Sequence, residues 1–274
     1  MVSRPDLAAA AAGSAAVRPI IPYVGGKKHL ARRLVDLIEA TPHELYAEPF
    51  VGAGGVFLRR PRPARVEAIN DLAGEVANLW RIAQRHPDAL AAELRFAHHG
   101  RAQWERLAAL DPAHLTDIER AARFVCLQKS AFGGKAIGRN FAMAKAGGHG
   151  RSFDRGALLA RLEAVHARLA RVTIEQLPFA EFIRRYDAPT ALFYCDPPYF
   201  GSEAYYGPGL FDRPQFQDLR DALARIRGRF IVSINDAAEI RELFAGFDIQ
   251  EARLSYGLAA AGSTAARELI ITGP

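Results

Sequence analysis

The sequence predicts an α/β fold that carries a mostly helical insertion, and three observations lead there. Short apolar runs alternate with amphipathic stretches along the 274 residues, the rhythm of strands connected by helices. Seven of those runs have the length of a strand. Between the second and the third lies a gap of about 100 residues that reads as helical, too long for one crossover and therefore an inserted domain.

In chain order, residues 1–18 form an alanine-rich stretch without the leucine-rich centre of a secretory signal, and read as a flexible extension. The strand candidates are residues 45–50, 65–70, 172–177, 191–195, 229–234, 248–256 and 267–272. Amphipathic spacing predicts helices over 28–40, 54–60, 72–84, 88–96, 116–129, 156–169, 214–226 and 237–243. Residues 19–80 and 157–274 thus supply the sheet, and residues 81–156 the helical insertion.

Composition narrows the class of function. Half of the residues are hydrophobic and 24% are charged, the balance of a globular chain. No run reaches the roughly 18 apolar residues of a helical membrane span, so an integral membrane role is not expected. Cys126 and Cys195 are too few for a disulfide framework and match no metal-ligand spacing, which points to a reducing cytoplasm and to chemistry without a metal. The net charge of +6 has one address. Residues 121–156 hold Arg123, Lys129, Lys135, Arg139, Lys145, Arg151 and Arg155 against Asp154 alone, while the rest of the chain is neutral in sum. Such a segment suits either a solvated loop or contact with a polyanion.

Four segments carry chemistry. Pro22-Tyr23-Val24-Gly25-Gly26-Lys27 opens the first helix with an aromatic ring, a close-approach glycine pair and a cation, a set that suits a nucleoside bearing a carboxylate. Glu48-Pro49-Phe50-Val51-Gly52-Ala53-Gly54-Gly55-Val56-Phe57 joins a strand to a helix, and its glycines let a ligand approach the main chain. It is no dinucleotide fingerprint, because Phe57 occupies the sixth position, and no segment has the spacing of a phosphate-binding P-loop. Asp71, nineteen positions after Gly52 and at the end of the next strand, suits a ribose diol as well as it suits a helix cap.

The fourth segment, Cys195-Asp196-Pro197-Pro198-Tyr199, is the most specific. Two prolines take the chain out of a strand without offering backbone donors. They leave the Asp196 carboxylate, the Pro197 carbonyl and the Tyr199 ring together. Two acceptors and no donor suit an exocyclic amino group. Holding both of its hydrogens localises a lone pair otherwise delocalised into the base, and the tyrosine can stack on that base.

Taken in order, these motifs resemble the Dam-type family of DNA adenine-N6 methyltransferases, over residues 19 to 274. The resemblance implies a Rossmann-like S-adenosylmethionine-dependent sheet whose last two strands form a hairpin, here 248–256 and 267–272 with Gly257, Gly262 and Ser263 between them. It implies that Tyr23, Gly25, Gly26, Lys27, Pro49, Phe50, Gly52, Gly54, Asp71 and Asp196 hold S-adenosylmethionine. It also implies that Asp196, Pro197 and Tyr199 are catalytic, that the partner is double-stranded DNA, and that the enzyme is a monomer. The target base is expected to flip out of the duplex, and the glycine- and tyrosine-bearing loop 200–214 is suited to close over it. The insertion is then a target-recognition domain in which Lys129, Lys135, Arg139, Asn140 and Lys145 are the candidates for DNA contact. The Phe-Asn-x-Pro segment that relatives often carry there is missing, so no recognition sequence carries over. Aspartate-, asparagine- or serine-Pro-Pro-aromatic motifs also serve cytosine-N4, RNA-adenine and protein-glutamine methylation. These alternatives stay open beside a DNA-binding relative without catalysis, which would have no need of Asp196.

Overall fold

The computed structural model of the protein describes residues 17–22, 30–98, 100–130, 154–205, 207, 209–253 and 267–274. Seven strands form one sheet: β1 (Leu45–Glu48), β2 (Val66–Asn70), β3 (Val172–Glu175), β4 (Ala191–Cys195), β5 (Arg229–Asn235), β6 (Asp248–Arg253) and β7 (Arg267–Gly273). Their order is β3-β2-β1-β4-β5-β7-β6; the first five are parallel, and β7 runs antiparallel to both of its neighbours. Every predicted strand is present. β4 is buried along its whole length, which is why it reads as a continuous apolar run rather than an alternating one.

Among the described residues the helices are α1 (Ala31–Ala40), α2 (Gly74–Arg85), α3 (Pro87–Arg95), α4 (Arg101–Ala109), α5 (Asp117–Ser130), α6 (Arg155–Arg168), α7 (Phe179–Tyr186), α8 (Gln215–Leu223) and α9 (Ala238–Leu243). They cover both faces of the sheet. One core joins Leu34 and Ile38 of α1, Trp80 of α2, Leu90 and Leu94 of α3, Phe124 and Val125 of α5 and Leu162 of α6 to Ile69 and Tyr194 of the sheet. The other joins Phe182 and Ile183 of α7, Phe216 and Leu219 of α8 and Ile240 of α9 to Phe193, Val232 and Ile271. α3 and α5 therefore share the sheet's core, with α5 packed on α2 and α3.

Two helices differ from expectation by omission and one by excess. α4 buries none of its residues, so it leaves no apolar periodicity to read. α7 is short and rich in aromatic residues, but Phe179, Phe182 and Ile183 lie three and four apart and bury one face, each gaining about 1.5–3 kcal/mol from that burial. The helix expected over 54–60 is instead a series of turns ending in a single 3-10 turn, Phe57–Arg59. Gly54 holds a left-handed φ of 70°, and Pro61 forces Arg60 into an extended conformation, so the segment is closed at both ends.

Candidate active site

The strand order reverses between β1 and β4, and there the carboxyl ends of the parallel strands diverge into a crevice. Three acidic residues stand at three adjacent strand ends: Glu48 closes β1, while Asp71 and Asp196 follow β2 and β4 directly. All three line one cavity of about 310 Å³. Its wall also includes Pro49, Phe50, Gly52, Leu177, Phe179, Tyr194, Pro198 and Phe211, with Ile21, Pro22 and Arg59 contributed from the N-terminal side. The structure thus brings Pro49, Phe50, Gly52, Asp71 and Asp196 together as the motifs anticipated. Gly54, Pro197 and Tyr199 do not line this cavity. Tyr23, Gly25, Gly26, Lys27, Lys135, Arg139, Asn140 and Lys145 lie outside the described residues, and Lys129 sits in the last turn of α5.

The glycine loop is held from beneath. Gly52 and Gly54 both have positive φ, and a Cβ on Gly54 would lie 2.7 Å from the Trp80 ring. The Trp80 indole donates to the Gly52 carbonyl at 2.9 Å, and the Gly52 amide donates to Asp71 Oδ2 at 2.9 Å. Asp71 Oδ1 accepts from the Ala73 amide at 2.9 Å, so the residue that suited both a cap and a ligand orders the turn before α2 and still faces the cavity. Each oxygen retains a second lone pair. Burial raises the Asp71 carboxyl to about 6 against the lowering by these two amides, which leaves it mostly ionised at neutral pH. Asn70, which is buried, ties the loops together. Its amide group donates to the carbonyls of Pro49 and Leu177 at 2.9 and 3.0 Å, and its carbonyl accepts from the Leu177 amide at 2.8 Å.

The Glu48 carboxyl is displaced further from its ordinary value than that of Asp71. Burial pushes it up to about 8, and the nearby Asp196 adds to the rise; the Tyr46 hydroxyl, donating at 2.5 Å, and Arg60 oppose it. Arg60 in turn lies 3.8 Å over the Tyr46 ring and donates to Glu67 at 2.8 Å. Glu67 is gripped on its other side by Arg168, whose two terminal nitrogens donate at 2.5 and 2.9 Å. A buried charge network thus stands directly behind the cavity floor.

The Asp196 segment is fixed by β5 and β7. Ser233 bridges the Tyr194 hydroxyl, at 2.7 Å, and Asp196 Oδ1, at 3.5 Å. Asn235 accepts from the Phe200 amide at 2.8 Å and donates to the Phe200 carbonyl at 3.1 Å. The Tyr199 hydroxyl donates to Glu268, the β7 residue paired with Asn235. Ser233, Asn235 and Glu268 lie outside the four motifs; Ser233 and Glu268 are buried polar residues of β5 and β7, Asn235 closes β5, and a polar residue beside a strand's apolar run is the signal the sequence offers.

A carboxylate beside a proline turn, on an apolar cavity at the switch point of a parallel sheet, is an arrangement for acting on a bound amino group. The profile of the D12 class N6 adenine-specific DNA methyltransferases matches residues 23–257. The chain belongs to that family. It is an adenine-specific DNA methyltransferase, which transfers a methyl group from a donor to N6 of adenine in DNA, and the cytosine, RNA and protein alternatives fall away. The seven-stranded, mostly parallel sheet agrees with the Rossmann-like architecture expected of it. No curated protein matches the chain by sequence. A crystal structure of precorrin 8W decarboxylase from Methanobacterium thermoautotrophicum is similar over 90% of each chain at 14% identity, with a TM-score of 0.41, a likeness too slight to carry an argument. No described helix of this methyltransferase is long and apolar enough to cross a membrane.

Proposed function

We propose that the methyl donor is S-adenosylmethionine held in the cavity at the ends of β1, β2 and β4, and that the adenine reaches Asp196 after extrusion from double-stranded DNA. The observation that carries this reading is the convergence of Glu48, Asp71 and Asp196 on one mostly apolar cavity of a size suited to a nucleoside ligand. The donor set fits the group. The unused lone pairs of Asp71 suit the ribose hydroxyls, the contacting rings of Phe50, Phe179 and Phe211 offer an apolar wall to an adenine ring, and the backbone around Gly52 admits close approach. Pro49 and the N-terminal Tyr23, Gly25, Gly26 and Lys27 complete the binding set. When bound, S-adenosylmethionine supplies a methyl group activated by its sulfonium.

The protein's own residues then have little bond chemistry to perform and much positioning. Asp196 and the Pro197 carbonyl accept the two hydrogens of the target amine and so localise its lone pair. Tyr199, anchored through its hydroxyl to Glu268, offers its ring to the base. Beyond it Gly201, Gly207 and Gly209 all have positive φ, which supports a loop able to change path and close over an extruded nucleotide. Residues 81–156 act as the target-recognition insertion, in which Lys129, Lys135, Lys145 and Arg139 contact phosphates and Asn140 reaches base edges, and the enzyme acts as a monomer.

The test uses duplexes with 2-aminopurine in place of the target adenine, together with methyl-labelled S-adenosylmethionine and unmodified DNA. The expected result is a rise in 2-aminopurine fluorescence on binding, from loss of stacking, and labelled N6-methyladenine after digestion. Asp196→Ala should retain the fluorescence change and lose the transfer. Transfer from S-adenosylmethionine that never occurs, or turnover retained without Asp196, overturns the assignment.

A further inference from the structure

Strand register gathers polar side chains on one face of the sheet. Tyr194 of β4 enters the core that α1 and α2 share, with Tyr46 of β1 and Ile231 of β5, while Phe193, Cys195 and Val232 enter the opposite core. Alternation then brings Asp196 and Ser233 to the same face as Tyr194, and the pairing of Cys195 with Val232 sets the two side by side. Ser233 is fully buried there. Its hydroxyl lies 2.7 Å from that of Tyr194 and 3.5 Å from Asp196 Oδ1. An ionised carboxylate only accepts, so Ser233 donates to Asp196 and accepts from Tyr194. Burial raises the Tyr194 phenol well above its ordinary range, with the charge of Asp196 adding to the rise, so Tyr194 stays a donor. Two more titratable groups feel the charge of Asp196, and burial raises both: Glu48 across on β1, to about 8, and Cys195 on β4. Both are therefore largely uncharged at neutral pH.

We infer that Ser233, directed by Tyr194, is a positioning residue for methyl transfer: its hydroxyl fixes the rotation of the Asp196 carboxylate and holds it as an ionised acceptor opposite the target amine. This rests on the reading of Asp196 as that acceptor. The torsion that turns an aspartate carboxylate is broad and has little preference of its own, so the plane has to be set by a partner. The two links of the chain differ in length. The shorter one anchors the serine to Tyr194, and the longer one, at the outer limit of a hydrogen bond, closes as the amine docks. The target nitrogen gains positive charge as the methyl group reaches it, and a donor behind Asp196 favours the charged carboxylate that this charge requires. The serine comes from β5 and the tyrosine from β4, so the plane of the carboxylate depends on the register of two strands and not on the proline turn alone.

The experiment measures kcat, KM for duplex DNA, the pH profile of kcat and calorimetric affinity for S-adenosylhomocysteine in the full-length protein and its variants. Ser233→Ala should lower kcat about tenfold, the worth of one hydrogen bond to a charged group, with KM and the affinity for S-adenosylhomocysteine within about threefold of wild type. The acid limb of its profile should move up by about one pH unit, because the ionised carboxylate has lost a donor. Ser233→Thr keeps the hydroxyl and should restore most of kcat together with the wild-type limb. Tyr194→Phe should fall between the two and add nothing to Ser233→Ala. Retained affinity for S-adenosylhomocysteine reports that the site is folded, and a packing role alone would leave the acid limb in place. The inference is overturned if Ser233→Ala moves neither kcat nor the acid limb, if Ser233→Thr loses as much as Ser233→Ala, or if the loss appears equally in S-adenosylhomocysteine affinity. If Asp196→Ala retains turnover, the acceptor reading falls and takes this inference with it; if Asp196 is required and Ser233→Ala is indifferent, this inference fails alone.

Discussion

Replacing Gly54 by alanine tests the physical basis of the glycine loop. Two costs can be worked out from the structure. The residue has a φ of 70°, where a Cβ clashes with its own backbone at about 1–2 kcal/mol. The added methyl would lie 2.7 and 2.8 Å from two carbons of the Trp80 ring and 3.3 Å from Leu58 Cγ, and overpacking of this kind costs about 1–3 kcal/mol. Trp80 cannot simply step aside, because it is 5% exposed and its indole is bonded to the Gly52 carbonyl. Gly54→Ala should therefore lose about 2–5 kcal/mol in urea denaturation, read from the midpoint at constant slope. The second half of the test is a double-mutant cycle. With Trp80→Phe the colliding ring carbons are removed, and Gly54→Ala should then cost at least about 1 kcal/mol less than it does beside tryptophan. A loss below about 1 kcal/mol in the wild-type background, or strict additivity of the two changes, would refute the account of a loop shaped by this contact.

Two further outcomes follow from the carboxyls. Glu48 titrates at about 8 in the folded protein against an ordinary value of 4.5, so the native state binds the extra proton and stability falls as pH rises through that window. Glu48→Gln keeps an acceptor for Tyr46 and removes the titration; between pH 5.5 and 7.5 wild type should lose about 2 kcal/mol more than the variant, and parallel stability curves would contradict the assignment. Glu268→Gln should reduce kcat about fivefold to tenfold with the affinity for S-adenosylhomocysteine unchanged, and should add nothing in a Tyr199→Phe background; an independent loss there would mean that Glu268 does not act through Tyr199.

Much of this site was legible because its motifs sit where chain direction is fixed by strong local rules. Pro49 and the pair Pro197-Pro198 end strands, the glycines permit a turn that other residues resist, and the strand ends then deliver Glu48, Asp71 and Asp196 to one side of a parallel sheet. What escaped depends on contacts distant in sequence. Arg60 and Arg168 meet at Glu67 across a separation of about a hundred residues, and nothing local to either announces the pairing. Asn235 and Glu268 become neighbours only through strand register. Asp71 illustrates a false choice, since ordering the turn and facing the cavity are two uses of one side chain. The segment expected as a helix over 54–60 shows the opposite error, where apolar spacing was read without weighing Gly54 and Pro61 at its ends.

The placement of β7 has a consequence for how the enzyme comes into being. This strand follows β6 in sequence but lies between β5 and β6, so β6 has no place in the sheet until β7 has been synthesised. Glu268 arrives with it, about seventy residues after the tyrosine it holds. A ribosome-bound chain that has already folded its first five strands would still present an open edge along β5 and an unanchored Tyr199. The Tyr199 hydroxyl therefore gains its Glu268 partner only once β7 has taken its place beside β5.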